Sequence, residues 1–115
     1  MLEMSLMRIM RKKILVVEDN TELLKLLRLN LKAAGFAIAT ATNGIEALKK
    51  AHSVSPDLVL LDLVLPELDG FAVCETLRKG PTTASIPIIV LTGLNNDSAR
   101  RATLQAGTAI LSPSQ

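Results

Sequence analysis

The stretch PDLVLLDLVLPELDG, residues 56–70, decides the fold. LVLL is a near-continuous apolar run of strand length, and it ends on a carboxylate, Asp62. A strand apolar on both faces is typical of a parallel sheet covered by helices on both sides. An ionised carboxylate is costly to bury without partners. Asp62 therefore reads as the last residue of an interior strand, held at the rim of the sheet.

The chain on either side follows the same alternation. KILVV (13–17) is a β-branched apolar run, followed by polar EDN and the helical stretch TELLKLLRLNLKAAG, which Gly35 closes. FAIATA (36–41) alternates like a strand, and NGIEALKKAHSV reads as a helix with Asn43 as its cap. After PDLVLLD and the turn PELDG come the helix FAVCETLRKG and the strand IPIIVLTG. The helix NNDSARRATLQAG and a short strand TAIL end the series. Strands alternating with helices imply βαβ units and a parallel sheet. Right-handed crossovers then give a doubly wound α/β domain.

Composition bounds the function classes. The 115 residues suit one domain, and 49% of them are hydrophobic, enough for a core. With no Trp or Tyr and two Phe, that core is aliphatic. A net charge of +2 is too small to argue for nucleic-acid or membrane binding. The single cysteine, Cys74, precludes an internal disulfide and fits a reducing, cytoplasmic setting. No apolar run approaches a membrane span, and MLEMSLMRIMRKK lacks the pattern of a signal peptide. Residues 1–7 read as a disordered expression remnant, and 8–115 as one domain.

In doubly wound sheets, ligands bind beyond the carboxyl ends of the strands. Those ends carry Glu18 and Asp19 on strand one, Asp62 on strand three, and Thr92 on strand four. If strands one and three are neighbours, three carboxylates converge. Their mutual repulsion raises a pKa, and a hard divalent cation such as magnesium relieves it. A metal held this way commonly also holds phosphate oxygens, to which the Thr92 hydroxyl could donate. An aspartate can also accept a phosphoryl group covalently.

Each of these residues also has a plainer reading. Glu18 and Asp19 alone could cap a helix N-terminus, Asp62 could close a strand, and Thr92 could satisfy backbone. Their conjunction at one end of parallel strands favours a site. His52 reads as a surface helix residue, Cys74 as core, and Arg100–Arg101 as a solvated face. The phosphate-loop and dinucleotide glycine motifs are absent.

ILVVEDN, ATNGIEAL, PDLVLLDLVLPELDG and IPIIVLTG together resemble the receiver domain of two-component response regulators, over about residues 12 to 107. The resemblance implies a flavodoxin-like, five-stranded parallel sheet of order 2-1-3-4-5, with 8–115 a single receiver domain. It implies Asp62 as phosphoacceptor and Thr92 as switch hydroxyl. Magnesium would be held by Asp19, Asp62 and the Val64 backbone carbonyl, with Glu18 acting through water. Pro66, Asp69 and Gly70 fit the loop after the acceptor strand. The donor would be a phosphohistidine on a sensor histidine kinase or phosphotransfer protein. Such a domain signals; it is not an enzyme beyond self-phosphorylation and self-dephosphorylation.

The tail departs from the pattern. Family members carry a lysine after strand five, followed by proline, but no Lys follows Lys79 here. Ser112 or Ser114 occupies that position, depending on how the tail is matched. Ala109 to Leu111 lack the usual aromatic, and the fifth helix is missing. The first helix carries Leu24, Leu27, Leu31 and Ala34 in one stripe, widened by Leu23, Leu26, Leu29 and Ala33. That arc is about 200° wide, where a one-sided helix needs roughly 100°. An exposed apolar strip, and with it a homodimer, is therefore expected.

Two other functions compete. A receiver-like interaction or dimerisation module that no longer signals by phosphorylation is favoured by the missing lysine and disfavoured by the intact acids. A magnesium-dependent phosphohydrolase is disfavoured because Leu63-Val64 follow Asp62, with no general acid two residues on.

Overall fold

The computed structural model describes residues 11–62, 69–91 and the backbone of 109–111. Four parallel strands form the sheet's main body in the order β2-β1-β3-β4. They are β1 (Lys13–Val17), β2 (Ala37–Ala41), β3 (Leu58–Asp62) and β4 (Ile88–Leu91). The short β5 (Ala109–Leu111) lies parallel beside β4. Three helices connect the strands: α1 (Thr21–Ala33), α2 (Gly44–Val54) and α3 (Gly70–Lys79). The flavodoxin-like α/β reading holds over these elements. The helix expected over 95–107 and the tail beyond 111 lie outside the described residues, as do residues 1–7.

Side chains alternate along β1 and divide the core in two. Leu15 and Val17 join Val59, Leu61, Ile88 and Val90 against Ala47 and Ala51 of α2 and Val73, Cys74 and Leu77 of α3. Ile14 and Val16 join Leu60 on the opposite face, where Leu24, Leu27 and Leu31 of α1 pack. The sheet is covered on both sides, as its apolar strands require. Cys74 is buried core and His52 is exposed, as expected from the sequence.

The helix ends follow their local chemistry. α1 stops at Ala33 with Ala34 as C-cap, two residues short of the sequence-based end. Gly35 adopts φ +101°. The Gly35 N–H donates to Lys32 O at 3.0 Å and the Phe36 N–H to Leu31 O at 3.1 Å. This is a Schellman closure, in which the left-handed residue is most easily glycine. Asn43 caps α2, accepting the Glu46 N–H at 2.8 Å, while Glu46 Oε1 accepts the Thr42 N–H at 2.9 Å. β3 begins at Leu58 rather than Pro56, because Asp57 turns the chain. Its N–H donates to Lys13 O at 2.8 Å, and its Oδ2 accepts the Lys13 N–H at 2.8 Å.

The wide apolar arc of α1 is half covered. Leu24, Leu27 and Leu31 pack on the sheet, but Leu23, Leu26 and Leu29 are 39%, 55% and 67% exposed. The expected apolar strip is therefore present on the surface. Ala34, which shares the stripe of Leu24, Leu27 and Leu31 in the sequence, is exposed because it already belongs to the turn.

Candidate functional site

Strand register brings the acids together. Val17 lies opposite Leu61, so the next residues, Glu18 and Asp62, end neighbouring strands side by side. The ladder continues one step past β1, where the Glu18 N–H donates to Ala41 O at 3.0 Å. Asp19 follows at the bend leaving the strand. Glu18, Asp19 and Asp62 each offer a carboxylate oxygen, and these oxygens lie within 4.8 Å of one another. On the other side, Asp62 pairs with Leu91, the residue before Thr92. Thr92, Val64 and Pro66 lie outside the described residues, so three predicted site residues are brought together here.

The three acids differ sharply in environment. Asp19 is exposed, Asp62 is half-buried, and Glu18 is 4% exposed. Glu18 Oε2 is buried with no hydrogen-bond partner among the described residues. Burial raises the Glu18 pKa from 4.5 to about 8. The hydrogen bond it shares with Asp62 and the charges of Asp62 and Asp19 push the same way. The backbone N–H of Asn20, donated to the Glu18 carboxylate, opposes them. A hydrogen bond between two carboxyl groups requires a proton on one of them. A cation at the cluster would compete with that proton for the same oxygens. An all-oxygen set with an orphaned buried oxygen fits a hard divalent ion such as Mg2+.

Neither Glu18 nor Asp19 caps α1. The cap is Asn20, whose Oδ1 accepts the N–H groups of Glu22 at 3.0 Å and Leu23 at 3.1 Å. Both acids are thus left to face the cluster. The sequence reading missed Asn20, although Asn before Thr-Glu is itself a capping signal. Asp69 caps α3, accepting the Ala72 N–H at 2.9 Å, and so anchors the end of the segment that follows Asp62.

Residues 14–110 match the model of the response regulator receiver domain. The alkaline phosphatase synthesis transcriptional regulatory protein PhoP of Bacillus subtilis is 43% identical over 98 residues, covering 85% of this chain and 40% of that protein. The chain spans less than half the length of such curated relatives. Among solved structures, the receiver domain of a sensor histidine kinase from Pseudomonas aeruginosa, with magnesium in its active site cleft, superposes with a TM-score of 0.83. It is 30% identical, over 91% of this chain and 87% of that one. The phosphorylated cyanobacterial phytochrome response regulator RcpA gives a TM-score of 0.79 at 29% identity, over 87% of this chain and 78% of that one. With its family model matched over residues 14–110, the chain belongs to the response regulator receiver domain family.

Proposed function

We propose that this chain is a phosphoacceptor receiver, in which Asp62 takes a phosphoryl group from a histidine kinase or phosphotransfer protein. The observation that carries the reading is the convergence of Glu18, Asp19 and Asp62 at one sheet edge. An Asp62 carboxylate oxygen bonds to phosphorus as the donor's P–N bond breaks, and the departing imidazole nitrogen keeps the electron pair and takes a proton from solvent. Asp19, Asp62 and the Val64 carbonyl would hold Mg2+, with Glu18 reaching it through water. Bound there, the ion would offset the charge on the transferring phosphoryl oxygens. Glu18, 4% exposed, stands shielded from bulk solvent beside Asp62 and would give up its proton as the ion binds. Thr92 is the switch hydroxyl, one residue beyond the partner of Asp62 on β4. Residues 80–115 hold no lysine, and Ser112 or Ser114 stands where the resemblance implies one.

We place this activity in the cytoplasm, within one receiver domain over 8–115 whose complete sheet is the five-stranded 2-1-3-4-5. The exposed leucines of α1 support a homodimer as a second property. A two-fold centred on Leu26 sets Leu23 of one copy against Leu29 of the other. The function is tested by incubating the protein with Mg2+ and a small acyl phosphate and weighing the product. One added phosphoryl group in the wild type and none in Asp62→Asn is expected. An unmodified wild type that binds Mg2+ normally would refute phosphoacceptor function.

A further inference from the structure

The backbone leaves β1 and enters α1 through three residues, Glu18, Asp19 and Asn20. Two of them are acids of the site. The first is pinned by the Glu18 N–H on Ala41 O. The third is pinned at three points. Asn20 Oδ1 accepts from Glu22 and Leu23, its carbonyl accepts the Leu24 N–H at 2.9 Å, and its own N–H donates to the Glu18 carboxylate. Asp19 is exposed and hangs between these two anchors.

We infer that Asn20 is a positioning residue of the acid cluster. Its side-chain cap fixes the peptide whose N–H orients Glu18, and it sets where Asp19 stands. The inference rests on the acid-cluster reading above and extends it to a residue that is not itself an acid.

The geometry gives a clear reason. A cap holds its residue in extended backbone, here φ −75° and ψ 110°, by bonding the first free N–H groups of the helix. Without the side-chain acceptor, those two N–H groups turn to water and Asn20 keeps only its carbonyl bond to Leu24 as a tie to the helix. Its N–H then leaves Glu18, whose other oxygen already lacks a partner. The Glu18 carboxylate loses its one fixed backbone donor, and Asp19 loses one of its two flanking anchors. Groups that orient metal ligands commonly change affinity by tenfold or more when removed.

The test compares three variants by calorimetric titration with Mg2+ alone, each also measured for stability. Asn20→Ala should weaken Mg2+ binding about tenfold. Asn20→Ser, which keeps a capping oxygen, should restore most of it. Asn43→Ala removes the corresponding cap of α2 and should lower stability comparably, yet leave Mg2+ affinity within about twofold. Wild-type affinity in Asn20→Ala overturns the inference, as does equal weakening by Asn43→Ala, since that would mean loosening alone moves the site. Failure of Asn20→Ser to recover affinity also overturns it. A wild type that binds no Mg2+ overturns the cluster reading and this inference together.

Discussion

Glu18→Gln should make the metal-free protein more stable at pH 8 while leaving it little changed at pH 5. Glu18 is 4% exposed, and its pKa stands at about 8 against an ordinary 4.5. The folded state therefore prefers the protonated acid. For a group raised in this way, the stability contribution is complete below pH 4.5. It is lost as pH rises toward 8, because the unfolded chain ionises first. Each unit of pKa displacement corresponds to about 1.4 kcal/mol, so the loss is on the order of a few kcal/mol. That is a large part of the roughly 5–15 kcal/mol that holds a typical domain together. Glutamine keeps the shape and removes the titration. Asp62 and Asp19, which face this site, remain in both proteins, as does exposed His52. With no Trp or Tyr for fluorescence, urea unfolding is followed by far-ultraviolet circular dichroism at pH 5, 6.5 and 8 with a chelator present. Wild-type stability should fall across that range, and the variant's should fall much less. Saturating Mg2+ at pH 8 should restore the wild type more than the variant. Parallel pH profiles for the two proteins would show that Glu18 is not the buried, charge-resisting group described above.

Other perturbations follow from the same contacts. Leu26→Gln with Leu29→Gln should abolish concentration-dependent light scattering while shifting the urea midpoint little, since both side chains are more than half exposed. A wild type that stays monomeric at high concentration would refute the dimer. Leu27→Ala, which removes a side chain packed on the sheet, should by contrast cost about 2 kcal/mol in the same unfolding assay. Gly35→Ala should lower stability by about 1 kcal/mol, although nothing lies within 4 Å of the added methyl. The cost comes from φ +101° alone, so an unchanged midpoint would mean the turn relaxes.

The strands and helices were legible because their periods and punctuation agree. KILVV and LVLLD are short, β-branched or aliphatic runs, the first followed directly by Glu18 and the second ending in Asp62, and Asn43 and Gly35 sit where a cap and a Schellman turn require them. The convergence of three acids was legible from parallel topology alone, since every β-strand's carboxyl end lies at one edge. The difference between Glu18 and Asp19 was not. They are adjacent and chemically alike, and composition treats them as a pair. Register separates them: Glu18 takes one more rung of the ladder on Ala41 and is shielded, while Asp19 begins the bend and stays in water. A one-residue distinction of this kind depends on where pairing stops, and that is a tertiary property. The same holds for the cap of α1, where three polar residues in succession could each have served and Asn20 does.

The two faces of the sheet are held differently, and this bears on the site. α2 and α3 bury Ala47, Ala51, Val73, Cys74 and Leu77 against β1, β3 and β4. α1 has no fully buried residue, and its contact is made by half-buried Leu24, Leu27 and Leu31. Burial scales with the hold a sheet has on a helix, at roughly 25 cal/mol per Å² of apolar area. α1 is therefore less firmly seated along its length, and its ends carry more of its placement. One end is the Gly35 closure and the other is Asn20, which also donates to Glu18. A change of charge or proton at the acid cluster thus acts on a hydrogen bond at the start of the helix that also presents Leu23, Leu26 and Leu29 to solvent. The leucine face and the acid cluster share one capping residue, so self-association and Mg2+ binding should be measured together in every Asn20 variant.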